Sequence, residues 1–414
     1  MPSLLPQEIL DEIIFRLYND IEALKSCSLA SSSFTAVCQS RLFSKIILRP
    51  RYGIRWPPGG GSASNFKRVL DKSPHIANYV ACLEIFDTPF VAEMGLAEEW
   101  VSKDDGLAAC LLRLTHLKAL LITYRTDVQI SHWSAELQRS LEEAMKLPSL
   151  VYLELMGCPL ALLERGGTGL QHLTLRCPVG RILDSAWSAL FSIADTVAAR
   201  IQPVSLALHS EDKAMFLELI MRPVLMLDLS KLRRLAVHAG IGASLTSGHG
   251  AVAQLLRVCA RTLEELIFYP SSDVAPDPEF DNDDRVNDPI DPSILTSLRR
   301  LTVRVNIFEK NLYLPCHDPF PWLLVFLTQL ANSSTTVAAI HPDTDHPLEE
   351  LTVHVQHRVS ASKPREIYMW RHIASFLAAN PFSNLRKATF EVSSRDVLED
   401  LQQAGYFSQL SSQR

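Results

Sequence analysis

Two large apolar residues separated by a single residue recur along this chain, and that repetition limits the fold more than any other feature. Leu83/Ile85, Leu120/Ile122, Leu153/Leu155, Leu173/Leu175 and Leu206/Leu208 carry it first. Leu235/Val237, Leu266/Phe268, Leu301/Val303 and Leu351/Val353 continue it, and Ala388/Phe390 is a degenerate last copy. Side chains alternate across a strand, so each copy predicts a short strand with one apolar face. Successive copies lie 20 to 50 residues apart, most of them 29 to 37. Four later copies share a heading: Leu232-Arg233-Arg234, Leu263-Glu264-Glu265, Leu298-Arg299-Arg300 and Leu348-Glu349-Glu350. A repeat of this period means that each unit covers its apolar face by stacking on its neighbours.

Segments of helical spacing lie between the copies, at Glu136–Leu147, Trp187–Ala199, Val252–Thr262, Trp322–Leu330 and Ile367–Ala379. One strand and one helix per unit, some ten times over, resembles a leucine-rich-repeat solenoid of irregular unit length. Leu150-Val151-Tyr152-Leu153-Glu154-Leu155-Met156-Gly157-Cys158 matches the family's L-x-x-L-x-L-x-x-C signature best. In most other copies the family's asparagine or cysteine is missing. A doubly wound α/β sheet would alternate in a similar way, but near-identical strands with a shared heading favour the solenoid.

The amino-terminal stretch Leu5–Ile47 has a different period. Pro6 sits at a helix start, where its missing N–H costs nothing, and Ile9, Leu10, Ile13, Ile14 and Leu17 follow at helical spacing. A second short helix fits Ile21–Leu29, with Leu24, Cys27 and Ala23 inward. Ser31-Ser32-Ser33 offers an N-cap for a third, holding Phe34, Val37, Cys38 and Leu42, and Ser44–Leu48 reads as a short strand. Three helices in about 45 residues cannot bury this much apolar surface among themselves, so the excess calls for a partner.

This stretch resembles an F-box. The family's Leu-Pro-x-Glu-Ile-Leu opening is present as Leu5, Pro6, Glu8, Ile9 and Leu10. Its middle matches Leu24, Cys27, Leu29, Ser33 and Phe34, with phenylalanine where many members have tryptophan, and its close matches Leu42, Phe43 and Ile46. The resemblance implies docking onto the Skp-type adaptor of a cullin-RING ubiquitin ligase through Leu5, Pro6, Glu8, Ile9, Leu10, Ile13, Leu24, Leu29, Phe34, Leu42 and Phe43. Residues 1–48 are then the F-box, 49–65 a linker rich in Pro and Gly, and 66–414 the repeat domain with an acidic insertion at 270–297. The expected fold class is α/β: a small all-α F-box followed by an irregular leucine-rich-repeat solenoid.

Composition sets limits on function. A formal net charge of −6 leaves no electrostatic footprint for nucleic acid. The eight cysteines include no C-x-x-C pair, which argues against a zinc site and a secreted disulfide scaffold. No basic segment precedes the first apolar helix and no apolar run approaches the roughly 20 residues of a bilayer span, so a cytoplasmic or nuclear protein is expected. No G-x-S-x-G, H-E-x-x-H, phosphate-binding loop or G-x-G-x-x-G stands in a fitting context. The carboxylates of Asp281–Asp284 lack the glycine and glutamate of a calcium loop. His341, Asp343, Asp345 and His346 read as a polar insertion, and Cys316-His317-Asp318 as sequence neighbours without a catalytic fold around them. No catalytic residue, metal or cofactor is therefore expected.

Together the two resemblances imply a non-catalytic substrate receptor of an SCF-type ubiquitin ligase. Alternatives from other classes are an F-box scaffold acting outside ubiquitination and a sensor whose repeats hold a small ligand. Outward strand positions gather cations and histidines at Arg176, His209, Arg234, His238, Tyr269, Arg300, Arg304 and His354. That face is the expected substrate surface, suited to an acidic or phosphorylated segment. The acidic insertion carries Asp273, Asp277, Glu279, Asp281, Asp283, Asp284, Asp288 and Asp291 among five prolines, too polar to bury much area. Loop closure depends weakly on length, so replacing Asp273–Asp291 by a short Gly/Ser bridge should shift stability by roughly 1 kcal/mol or less, measured by thermal melting.

Overall fold

A computed structural model describes residues 6–17, 20–49, 62–87, 100–124, 133–157, 163, 166–177, 201–210, 227–240, 245–271, 292–307, 320–338, 347–357, 372–373, 375–377, 379, 382 and 384–392. The class is α/β. The chain divides into two compact units, Met1–Ile201 with Val224–Met226, and Gln202–Pro223 with Leu227–Arg414.

The first unit opens with helices α1 (Gln7–Arg16), α2 (Ile21–Ala30) and α3 (Ser32–Leu42). Pro6 caps α1, the Asp20 carboxylate accepts from the Ala23 N–H at 2.9 Å, and the Ser31 hydroxyl accepts from the Ser33 N–H at 3.3 Å. The Asp20 and Ser31 side chains each satisfy a donor that the first turn leaves unpaired, whereas Pro6 makes no side-chain cap. Ile14, Leu24 and Cys38 form the buried centre of the three helices, with Leu17, Cys27, Phe34, Val37 and Leu42 packed around it.

The unit continues with β1 (Lys45–Leu48), β2 (Cys82–Asp87), β3 (Ala119–Tyr124), β4 (Tyr152–Met156) and β5 (His172–Cys177), each parallel to the next. The strand that follows α3 is thus the first strand of the sheet. Between strands lie α4 (Ala63–Lys72), α5 (Trp100–Lys103), α6 (Asp105–Arg113) and α7 (Ala135–Met145). The helical spacing at Glu136–Leu147 indicated α7, whereas α5 and α6 were not anticipated. Asp104 caps α6 by accepting from the Gly106 N–H at 2.8 Å and ties it to α4 by accepting from the Ser64 hydroxyl at 3.0 Å. A Cβ at Gly106 would meet the Ser64 backbone at 2.7 Å, so only glycine allows this approach.

The second unit holds β6 (Ser205–Ser210), β7 (Arg234–Gly240), β8 (Glu265–Ser271), β9 (Arg300–Ile307), β10 (Glu350–His357) and β11 (Lys387–Val392), again parallel and in sequence order. Its long helices are α8 (Leu245–Cys259) and α9 (Phe320–Ala338), which start before Val252 and Trp322, where the periodicity had placed them. The expected loop at 270–297 is shorter than its sequence implies. Pro270 and Ser271 belong to β8, while Pro292–Ile294 form a 3-10 turn that packs against α9 and buries Pro292 and Leu295. The reason is local: apolar side chains at the end of the acidic run have a surface to join. Residues 272–291 lie outside the described residues, as do the expected helix at 187–199 and both His/Cys clusters.

Register explains the repeated apolar pair. Leu83, Leu120, Leu153 and Leu173 are direct partners across β2–β5, as are Leu206, Leu235, Leu266, Leu301 and Leu351 across β6–β10. All of these, with the second member of every pair from Ile85 to Val353, are at most 5% exposed. Val80, Leu117, Leu150, Leu170, Leu232, Leu263, Leu298 and Leu348 make a third buried row at the strand entrances.

In the second unit the shared headings carry a further instruction. Arg233-Arg234, Glu264-Glu265, Arg299-Arg300, Glu349-Glu350 and Arg386-Lys387 stand side by side, so sign alternates from strand to strand. Glu265 meets Arg234 on one side and Arg300 on the other, both at 3.2 Å, while Arg233–Glu264 and Arg299–Glu349 pair at 3.6 Å. Each exposed pair contributes at most about 1 kcal/mol. Any exchange of neighbouring strands, however, would set like charges in contact, which disfavours wrong strand orders. Glu265→Arg should destabilise the second unit by about 1–2 kcal/mol, and adding Arg234→Glu with Arg300→Gln, which sets no like charge beside Glu350, should recover most of it. Equilibrium denaturation of the single and triple variants checks both steps.

Candidate functional site

Two surfaces qualify, and each is assembled from its residues below. On α1 the helical period separates two faces. Leu10, Ile14 and Leu17 turn inward, while Ile9 and Ile13, one turn apart, stay 48% and 45% exposed. Leu29 at the end of α2 is 87% exposed and Ile21 at its start 57%. The Arg41 guanidinium lies 5.1 Å from the Phe15 ring centroid, against a residue that is itself half exposed. Large aliphatic side chains left in water on a bundle this small make this face a candidate docking surface.

The sequence-expected adaptor residues therefore divide. Pro6, Glu8, Ile9, Ile13 and Leu29 are exposed, and Phe34, Leu42 and Phe43 are half-buried. Leu10 and Leu24 are buried, so they hold the helices together and do not lie on the surface. Leu5 lies outside the described residues. Ile21 and Phe15 were not singled out; Ile21 is first in its helix and only three residues from the inward Leu24, so the helical period alone would have turned it inward.

The second surface is the outward face of the strands. In the first unit, Glu154 draws two side chains together: the Tyr152 hydroxyl donates to it at 2.8 Å and Arg176 pairs with it at 2.9 Å. Burial raises the Tyr152 phenol above its ordinary pKa. Lys45 and Glu84 pair at 2.6 Å across β1 and β2, and Arg49 lies 4.8 Å over the Phe86 ring.

In the second unit, the expected cations occupy two rows along the face. The row at the strand entrances holds Arg234 and Arg300, both engaged by Glu265. The row nearer the strand ends holds His209, His238, Tyr269, Arg304 and His354, and His354 faces Glu391 at 2.6 Å. The sequence reading gathered cations and passed over the carboxylates opposite them. Glu265 and Glu391 are the residues that it missed, and the in-register alternation of the headings was the available signal for Glu265. Arg304 differs from the other two arginines of this face: its guanidinium stacks 4.8 Å over the Tyr269 ring, with no carboxylate in ion-pair distance among the described residues.

Neither surface holds a reactive constellation among the described residues. Burial pushes the Cys110 and Cys259 thiols up to about 12, so both behave as small core residues and not as nucleophiles. No group of three or more His, Cys, Asp or Glu side chains suited to a metal occurs among the described residues. No helix among them is long and apolar enough to cross a membrane. No protein-family model matches the chain, and no curated protein matches it.

The division of α1 gives a direct test. Ile14→Ala removes a fully buried side chain from the centre of the three helices and should cost about 3 kcal/mol. Ile13→Ala, one residue away, should cost about 0.5 kcal/mol or less. Chemical denaturation of the two variants checks the contrast.

Proposed function

We propose that this chain is the substrate-recognition subunit of an SCF-type cullin-RING ubiquitin ligase. In this reading α1–α3 are an F-box, the strand and helix units that follow are an irregular leucine-rich-repeat solenoid, and the protein acts in the cytoplasm or nucleus. The observation that carries the reading is the coincidence of motif and exposure on the first helices. Pro6, Glu8, Ile9, Ile13 and Leu29 occupy F-box positions and remain in water, while the motif residues Leu10 and Leu24 form the core that holds them in place. The in-register parallel strands support the repeat half, since each unit has one strand and shares its apolar row with its neighbours.

The mechanism is proximity. The helical unit holds the Skp-type adaptor, and the strand face presents a bound protein to a ubiquitin-charged enzyme carried elsewhere in the assembly. The chain forms no covalent bond itself, and its contribution is an increase in effective concentration. An interface of this kind rests on a few desolvated apolar anchors, so a single carboxylate among them removes most of the affinity.

Ile9→Asp should therefore abolish adaptor binding, read by co-purification from cells, while the melting temperature of the chain is unchanged because Ile9 lies outside the core. Undiminished adaptor capture by Ile9→Asp would overturn the F-box reading. Cullin in the wild-type pulldown supports the ligase, and adaptor without cullin supports a scaffold that works outside ubiquitination.

A further inference from the structure

Between the two charged rows of the second unit runs a third row of small or uncharged residues: Ala207, Ala236, Ile267, Thr302 and Thr352. These five stand side by side on β6–β10 and are all partly exposed. On one side rise Arg234, Glu265, Arg300 and Glu350, and on the other Tyr269, Arg304 and His354. The two flanking rows are four residues apart along each strand, about 13 Å. The face is therefore a shallow trough across the strands, with a smooth floor and charged rims.

The two rims are not equivalent. The first is internally compensated, because Glu265 bonds both of its arginines at 3.2 Å. On the second rim the Arg304 guanidinium carbon lies over the Tyr269 ring, 4.8 Å from its centroid, and Arg304 itself is exposed. A contact with a ring face restrains a guanidinium without using up its N–H donors, so the fork can still serve a planar acceptor. A carboxylate matches that fork with two parallel hydrogen bonds. Because carboxylates remain in the first rim, the trough suits a few negative charges and not a continuous polyanion.

We propose that this trough binds an extended protein segment carrying Asp or Glu side chains, laid across β6–β10 with one carboxylate on the Arg304 fork. Five strands at a spacing of about 4.8 Å span about 19 Å, the length of roughly six extended residues. The inference deepens the receptor reading by stating the chemistry of what the strand face recognises. It is tested without the adaptor, so the two readings fail separately.

The experiment is fluorescence anisotropy on the full chain, with a labelled decapeptide of alternating Glu and Ala and a Gln/Ala control. The Glu peptide should bind, and the Gln peptide should bind about tenfold more weakly or not at all. Arg304→Ala should weaken binding about tenfold, and Arg304→Lys nearly as much, because lysine keeps the charge but loses the fork. Ala236→Trp should block binding by filling the floor, independently of charge. Lys387→Ala, on the same face but beyond the trough, should leave affinity within about twofold. Thermal melting confirms that each variant is folded. Equal losses from Arg304→Ala and Lys387→Ala would reduce the effect to general attraction and overturn the proposal. Failure of the Glu peptide to bind would do the same. Binding that appears only after the eight acidic residues of 273–291 are changed to Asn or Gln would identify the chain's own insertion as occupant and overturn the reading of a separate partner.

Discussion

The structure depends on one backbone arrangement repeated at nine strand entrances, those of β2–β5 and β7–β11. Two successive N–H groups donate to a single carbonyl of the preceding unit: Ala81 and Cys82 to Ser44, Lys118 and Ala119 to Ala81, Glu264 and Glu265 to Arg233, Arg299 and Arg300 to Glu264. This forked contact starts the parallel ladder at the same residue in each unit. Once the start is common, the leucines three residues before and within each strand must fall into rows, and the rows become the core. A slip of one residue would turn every buried leucine outward, so hydrophobic burial and backbone pairing enforce the same register.

That shared register also organises the outer face. Because partners are direct neighbours, residue types repeated in sequence become rows in space, and alternation in sequence becomes alternation in space. The Arg-Arg and Glu-Glu headings are the clearest case: pairs some thirty to fifty residues apart in sequence meet as neighbouring charges. The pairs add little to stability one by one. Their effect is on specificity, since each cationic strand entrance is matched only by an anionic neighbour. Arg304 lies beyond this compensation, four residues further along its strand, and no carboxylate among the described residues pairs with it.

The helical unit follows a different logic. Ten- and eleven-residue helices enclose a centre as small as Ile14, Leu24 and Cys38, and further large aliphatic residues have no room inside. Ile9, Ile13, Ile21 and Leu29 are left in water because the bundle is too small to cover them. Exposure here follows from size, and a partner is the physical remedy.

Much was legible in the sequence for physical reasons that act locally. The period-two apolar pairs placed the strands from Leu83 to Phe390, and the period of α1 placed Ile9, Leu10, Ile13, Ile14 and Leu17 on one apolar stripe without dividing it into inward and outward sides. Caps at Pro6 and Ser31 and the strand at Lys45–Leu48 were readable in the same way. The rest needed the folded chain. That Leu10 and Leu24 belong to the core and not to the surface depends on how three helices close on one another, which no single helix period states. The place of Pro292 and Leu295 under α9 was hidden because the surrounding composition is acidic and turn-forming, yet burial is decided by what lies opposite. The charge of the strand face was misjudged for a similar reason. Cations can be counted along a chain, but whether a carboxylate neutralises them is set by register between strands, and only the tertiary structure brings Glu265 between Arg234 and Arg300 while leaving Arg304 on the ring of Tyr269.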